Sequence, residues 1–102
     1  MSEAIRKTCS DMTEVRDAID ALDREIVALL ADRLHFINEA GRLKTSRDAV
    51  RDEARVEDVV AKVRHAAASA GIDPDFVEPL YRDLIERSIR HEFGVFDRLH
   101  KS

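Results

Sequence analysis

A chain of 102 residues is enough for one domain and too short for two. Charged residues make up 37% against only three Gly and two Pro, which favours helix over a turn-rich β fold. The net charge of −4 argues against a nucleic-acid binder, and a single cysteine, Cys9, excludes a disulfide framework. No run approaches the ~18 apolar residues of a membrane span. The first ten residues also lack the apolar core of a signal peptide, so a soluble cytoplasmic protein is expected.

In chain order, residues 1–10 read as a flexible tail and residues 11–102 as one helical domain. Helix one begins near Asp11 or Thr13, either of which can cap it, while Thr13 with Arg16 is not a capping box. It meets no Pro or Gly before Gly41 and extends toward Lys44 or Ser46, with pairs such as Asp20–Arg24 on its outer face. Some ~32 residues at 1.5 Å each make a rod of roughly 48 Å, whereas a compact globule of this length is roughly 33 Å across. One stripe of that rod reads Val15, Ile19, Leu22, Ile26, Leu29, Arg33, Ile37, Ala40, Lys44, with the steps of three and four of a packed face. A helix longer than its own domain needs a cover for this stripe, and a second copy is the simplest one. The expected architecture is therefore all-α: three helices with a very long first one, in an intertwined homodimer.

Thr45 to about Glu53 (TSRDAVRDE) reads as a charged, mobile connection. Helix two follows with Val56, Val59, Val60, Val63, Ala66, Ala67 and Ala70 inward, and Gly71 ends it. Asp73 and Pro74 open helix three as N-cap and first helical residue, and Pro79 predicts a distorted first turn or a restart. The third seam is Val77, Tyr81, Leu84, Ser88, Glu92, Val95, Leu99.

Four residues on these seams are polar. Arg33 and Lys44 can snorkel to the rim with buried stems, or meet an internal anion, since unpaired buried charge is costly. Ser88 can bond its own helix backbone. Glu92, one turn on, either pairs with a core cation or serves a site. With Arg55 at the start of helix two, these residues outline a cationic pocket in a helical bundle, suited to a small anion with more than one carboxylate. No nucleophile–base pair is evident. His35, His65, His91 and His100 lack metal-ligand spacing and read as surface or rim residues, and there is no glycine-rich phosphate loop.

Over about residues 11–99 the chain resembles the small all-helical chorismate mutases, the AroQ class. The motif is VRDAIDALDREIVALLADR, a Lys eleven residues after its final Arg, then VRDEAR and SIRHE. The resemblance implies that Arg16 reaches into the partner subunit's site and Arg33 clamps a carboxylate in its own. It implies that Lys44 bonds both carboxylate and ether oxygen, that Arg55 follows the mobile loop, and that Asp52 and Ser88 line the site. Glu92 stands where most bacterial members have a Gln that donates to the ether oxygen. Fungal-type mutases have a Glu there, which must be protonated to donate. Catalysis would then fall to Lys44, Glu92 and Arg33. Within the class, the opening CSDMTEVRDAID, the short loop after Lys44 and the apolar Val56 are most similar to isochorismate-pyruvate lyases, because the familiar bacterial mutases carry a Glu at that last position.

The resemblance implies rearrangement of chorismate to prephenate, with elimination of pyruvate from isochorismate to give salicylate as the alternative. Both break an ether bond in a folded dianion and need no metal or organic cofactor. The rival from another class is a non-catalytic helical dimerisation module in which Arg33 and Lys44 pair with Glu92 or Asp52. The helices lack helix-turn-helix spacing, and the basic residues are interspersed with acids, so no nucleic-acid partner is expected.

Overall fold

The computed structural model describes residues 6–101. Helix α1 spans Met12–Leu43, a 3-10 turn spans Arg47–Ala49, α2 spans Glu53–Ala70 and α3 spans Pro74–Leu99. No strand occurs among the described residues, in agreement with the all-α reading. Packing divides the chain after Arg33 into two compact units. Of the tail expected over residues 1–10, residues 1–5 lie outside the described residues, as does Ser102, and residues 6–9 have no regular secondary structure.

In the N-terminal unit, two side-chain acceptors hold the start of α1. The Glu14 N–H donates to Asp11 Oδ1 at 2.9 Å, and the Ser10 N–H donates to Glu14 Oε1 at 2.8 Å. Asp11 thus satisfies one orphan donor of the helix as its cap, and Glu14 reaches back past it to tie down the residue before the cap. Farther along, the stripe lies open in the single chain: Ile19 is 50%, Ile26 53% and Leu29 65% exposed.

The C-terminal unit is built on a hairpin of α2 and α3. Gly71 takes the left-handed conformation (φ 80°). Its N–H bonds the Ala68 carbonyl while that of Ile72 bonds the Ala67 carbonyl, the Schellman pattern that ends α2. Asp73 then caps α3 by accepting from the Asp75 N–H, with Pro74 in the first turn. The restart expected at Pro79 does not occur, and α3 is one helix. Pro79 lies only five residues in, and the bond it cannot donate would have gone to the carbonyl of the exposed Asp75, a group that water can reach.

Val50, Val56, Val60, Ile85, Ile89 and Phe96 form the core, with Val59, Tyr81 and Phe93 packed against it. The presence of Val50, at 3% exposure, corrects the expectation of a loose Thr45–Glu53 connection. Ser46 caps the 3-10 turn. Arg47 lies over the Phe93 ring at 4.4 Å and bonds Asp97 at 2.9 Å, and Arg51 bonds Glu86 at 2.7 Å. A buried valine and two arginine contacts with α3 anchor a segment that reads as solvated charge. Ala66, Ala70 and Leu99, expected inward, are exposed: Ala67 takes the buried face beside Ala66, and Ala70 and Leu99 are the last residues of their helices.

Candidate functional site

The C-terminal part of α1 lies against α3. Asn38 Oδ1 sits 2.7 Å from His91 Nε2, and Gly41 is buried. The Lys44 N–H still donates to the Ala40 carbonyl at 3.0 Å, so the helical hydrogen-bond ladder orients Lys44 just past the end of α1. On α3, Ser88 and Glu92 are one turn apart on the buried face, 6% and 4% exposed, as their seam positions predict. Ser88 Oγ donates to the Leu84 carbonyl at 2.8 Å, the backbone bond expected of a serine there.

Lys44 Nζ lies 2.6 Å from Glu92 Oε2. The lysine side chain keeps 30% of its surface while that of the glutamate keeps 6%, so a half-buried cation meets a buried acid. Glu92 Oε2 is buried and accepts no hydrogen bond of ordinary geometry among the described residues. The short ionic contact and the missing hydrogen bond are compatible, since ion pairing depends on distance and hydrogen bonding also on angle. The carboxylate is therefore charge-compensated but not saturated with donors, which is unusual for a buried oxygen.

The other sequence-read residues fall elsewhere. Asp52 Oδ1 caps α2 by accepting from the Arg55 N–H at 3.1 Å. Arg55, with a side chain 62% exposed, bonds Asp58 at 2.6 Å along its own helix. Hydrogen bonds from Lys62 and then Arg55 hold the Asp58 carboxyl below its ordinary range. Arg16 is exposed and Arg33 half-buried, both on the N-terminal unit. The structure thus joins Lys44, Glu92 and the Ser88 turn, whereas Asp52 and Arg55 make their bonds at the start of α2. Val56 is buried in the apolar cluster. No group of side chains able to hold a metal occurs among the described residues, and none of the described helices is long and apolar enough to cross a membrane. Sequence reasoning missed the Asn38–His91 contact, because neither residue lies on an apolar seam.

These features define an all-α protein in which the end of a long first helix meets a buried acid on the last helix. Residues 15–93 match chorismate mutase type II, and the chain belongs to that family. It is similar to the isochorismate pyruvate lyase of Pseudomonas aeruginosa, 32% identical over 77 residues, covering 76% of each chain. It is also similar to the T-protein of Enterobacter agglomerans, 30% identical over 84 residues, covering 81% of this chain and 22% of that protein. The bifunctional chorismate mutase/prephenate dehydratase of Escherichia coli is 32% identical over 76 residues, with 74% of this chain and 20% of that protein covered. The chain therefore spans only about a fifth of those two longer relatives.

Proposed function

We propose that this chain is a chorismate mutase whose ether-oxygen site is made by Lys44 and Glu92. The observation that carries the reading is the match of residues 15–93 to chorismate mutase type II, with Lys44 2.6 Å from a glutamate 4% exposed at the two positions that the resemblance assigns to donors on the breaking bond. The rearrangement is pericyclic and needs no proton transfer to the protein. The site has to hold the folded dianion and stabilise charge growing on the ether oxygen. Lys44 Nζ is one donor. Glu92 is the second once it carries a proton. Arg33 and an Arg16 from a second copy would grip the carboxylates, in a homodimer whose interface includes the exposed stripe of α1. Exposed apolar surface on Ile19, Ile26 and Leu29 supports such a cover.

A second reading, isochorismate-pyruvate lyase, is favoured by Val56. Its side chain is in the apolar cluster and offers a ring hydroxyl neither donor nor acceptor. The similarity to a protein named as that lyase points the same way. A paired assay separates the two readings. Prephenate from chorismate in excess of salicylate from isochorismate supports the mutase, and the reverse supports the lyase. Within the mutase reading, Glu92→Gln should keep most of the rate, because an amide donates at every pH, whereas Glu92→Leu should lose it. An active Glu92→Leu removes Glu92 from the role. Product in neither assay, together with a melting temperature indifferent to malonate, would leave a closed ion-pair core and favour the dimerisation module.

A further inference from the structure

Gly41 lies one turn before Lys44 on α1, and the turn of α3 that faces it carries Glu92 and Val95. A Cβ added to Gly41 would stand 2.9 Å from Val95 Cγ1, 3.1 Å from Val95 Cβ and 3.4 Å from the Glu92 carbonyl oxygen. Carbon atoms rest at about 3.5–4.0 Å, so a side chain here would force the two helices apart or displace the β-branched Val95. Val95 has little freedom to move, being 4% exposed and stiff at χ1. Gly41 is not at a turn and its φ is not positive, so the backbone does not require glycine. Helix propensity alone favours alanine at such a position. The close approach is what explains the glycine.

We infer that Gly41 is a positioning residue: its missing side chain sets the α1–α3 separation at which Lys44 Nζ meets Glu92. Lys44 follows Gly41 by three residues and so projects from nearly the same face of α1 toward the same turn of α3. A helix displaced at Gly41 carries Lys44 with it, since the Lys44 N–H is still bonded to Ala40. The inference rests on the proposed function for its catalytic consequence, but the geometric claim stands apart from it.

The test uses Gly41→Ala, Val95→Ala and the double variant, with the crystal structure of each beside the paired assay. A displacement near 1 Å can cost on the order of 100-fold in rate. Gly41→Ala is expected to lower kcat by about that factor with a smaller change in KM, and to lower Tm although alanine is the better helix former. Val95→Ala alone should keep near-normal kcat, and in the double variant it should restore most of what Gly41→Ala loses. In the Gly41→Ala crystal the Lys44–Glu92 contact should open beyond 4 Å. An unchanged kcat in Gly41→Ala overturns the proposal, as does a loss that Val95→Ala fails to recover. If the wild type makes neither product, the proposed function fails, and the crystal structures alone decide the positioning claim: an opened contact supports it and a retained 2.6 Å contact overturns it. Should Gly41→Ala fail to fold, Val95→Ile crowds the same contact from α3. A lowered kcat there supports the proposal and a normal one overturns it.

Discussion

The N-terminal stretch of α1 and the α2–α3 hairpin carry the same apolar spacing and differ in what covers it. Ile19, Ile26 and Leu29 recur at helical intervals yet are half or more exposed in the single chain. Val56, Val60, Ile85 and Ile89 recur similarly and are at most 8% exposed, because each helix of the hairpin supplies the cover for the other. Periodicity therefore reports that a face is apolar and not which molecule buries it. Polar residues on the seams show the same division. Glu92 is enclosed by its own chain and met by Lys44, whereas Arg33 stands on the unit whose apolar face lies open.

The largest expected effect concerns the enclosed pair. Lys44→Ala should lower kcat by about 10²–10³, or about 2.7–4 kcal/mol, the range seen when a donor to developing negative charge is removed. A rate within threefold of wild type would mean that the pair is structural. Next comes the open stripe. Leu29→Asp should drive the protein toward monomer in light scattering, since burying one such side chain is worth about 1.5–3 kcal/mol. Its Tm should also fall and lose the concentration dependence of a dimer's. An unchanged mass and Tm would show that no second copy covers this stretch.

Val50→Ala tests the opposite region. Two buried methyl groups at about 0.8 kcal/mol each, with some cavity cost, suggest a loss of about 2 kcal/mol in urea unfolding. A loss below about 0.5 kcal/mol, the size of a surface substitution, would return the Thr45–Glu53 segment to the status of a loose connection.

The smallest effect concerns the exposed ion pairs that tie α2, its preceding loop and α3. Hydrogen bonds from Arg82 lower the pKa of Glu57, those from Arg82 and then Arg64 lower that of Glu78, and those from Arg51 lower that of Glu86. A carboxylate depressed in the folded state binds protons more readily when unfolded. Its stabilising contribution is therefore present above the ordinary glutamate range and disappears as pH falls through the folded value. Tm should drop below about pH 4, with a shallower drop in high salt because these pairs are exposed. A Tm level down to pH 3 would remove the pairs from the account of stability.

Much of the fold was legible because its determinants are local. The caps at Asp73 and Pro74, the stop at Gly71 and the length of α1 follow from residues within a few positions of each boundary. Ser88 and Glu92 were legible as buried polar groups because seam spacing alone puts them inward. Three features were not. Val50 lies in a charged segment with no period, so only α3 across from it reveals that it is core. Pro79 reads as a break, yet it removes one bond to a carbonyl that water can reach. Asp11 was read only as one of two candidate caps beside Thr13, and the bond from the Ser10 N–H to Glu14 went unread.

The sequence by itself determined three helices, where they stop, and that Ser88, Glu92 and Lys44 sit on inward faces, because capping and amphipathic period act over a turn or two. Only the tertiary structure decided that Lys44 meets Glu92 at 2.6 Å, that Val50 belongs to the core and that α1 approaches α3 closely at Gly41. Those facts depend on the separation of helices about fifty residues apart in sequence, which is set by side-chain volume at the contact and leaves no mark on the local pattern.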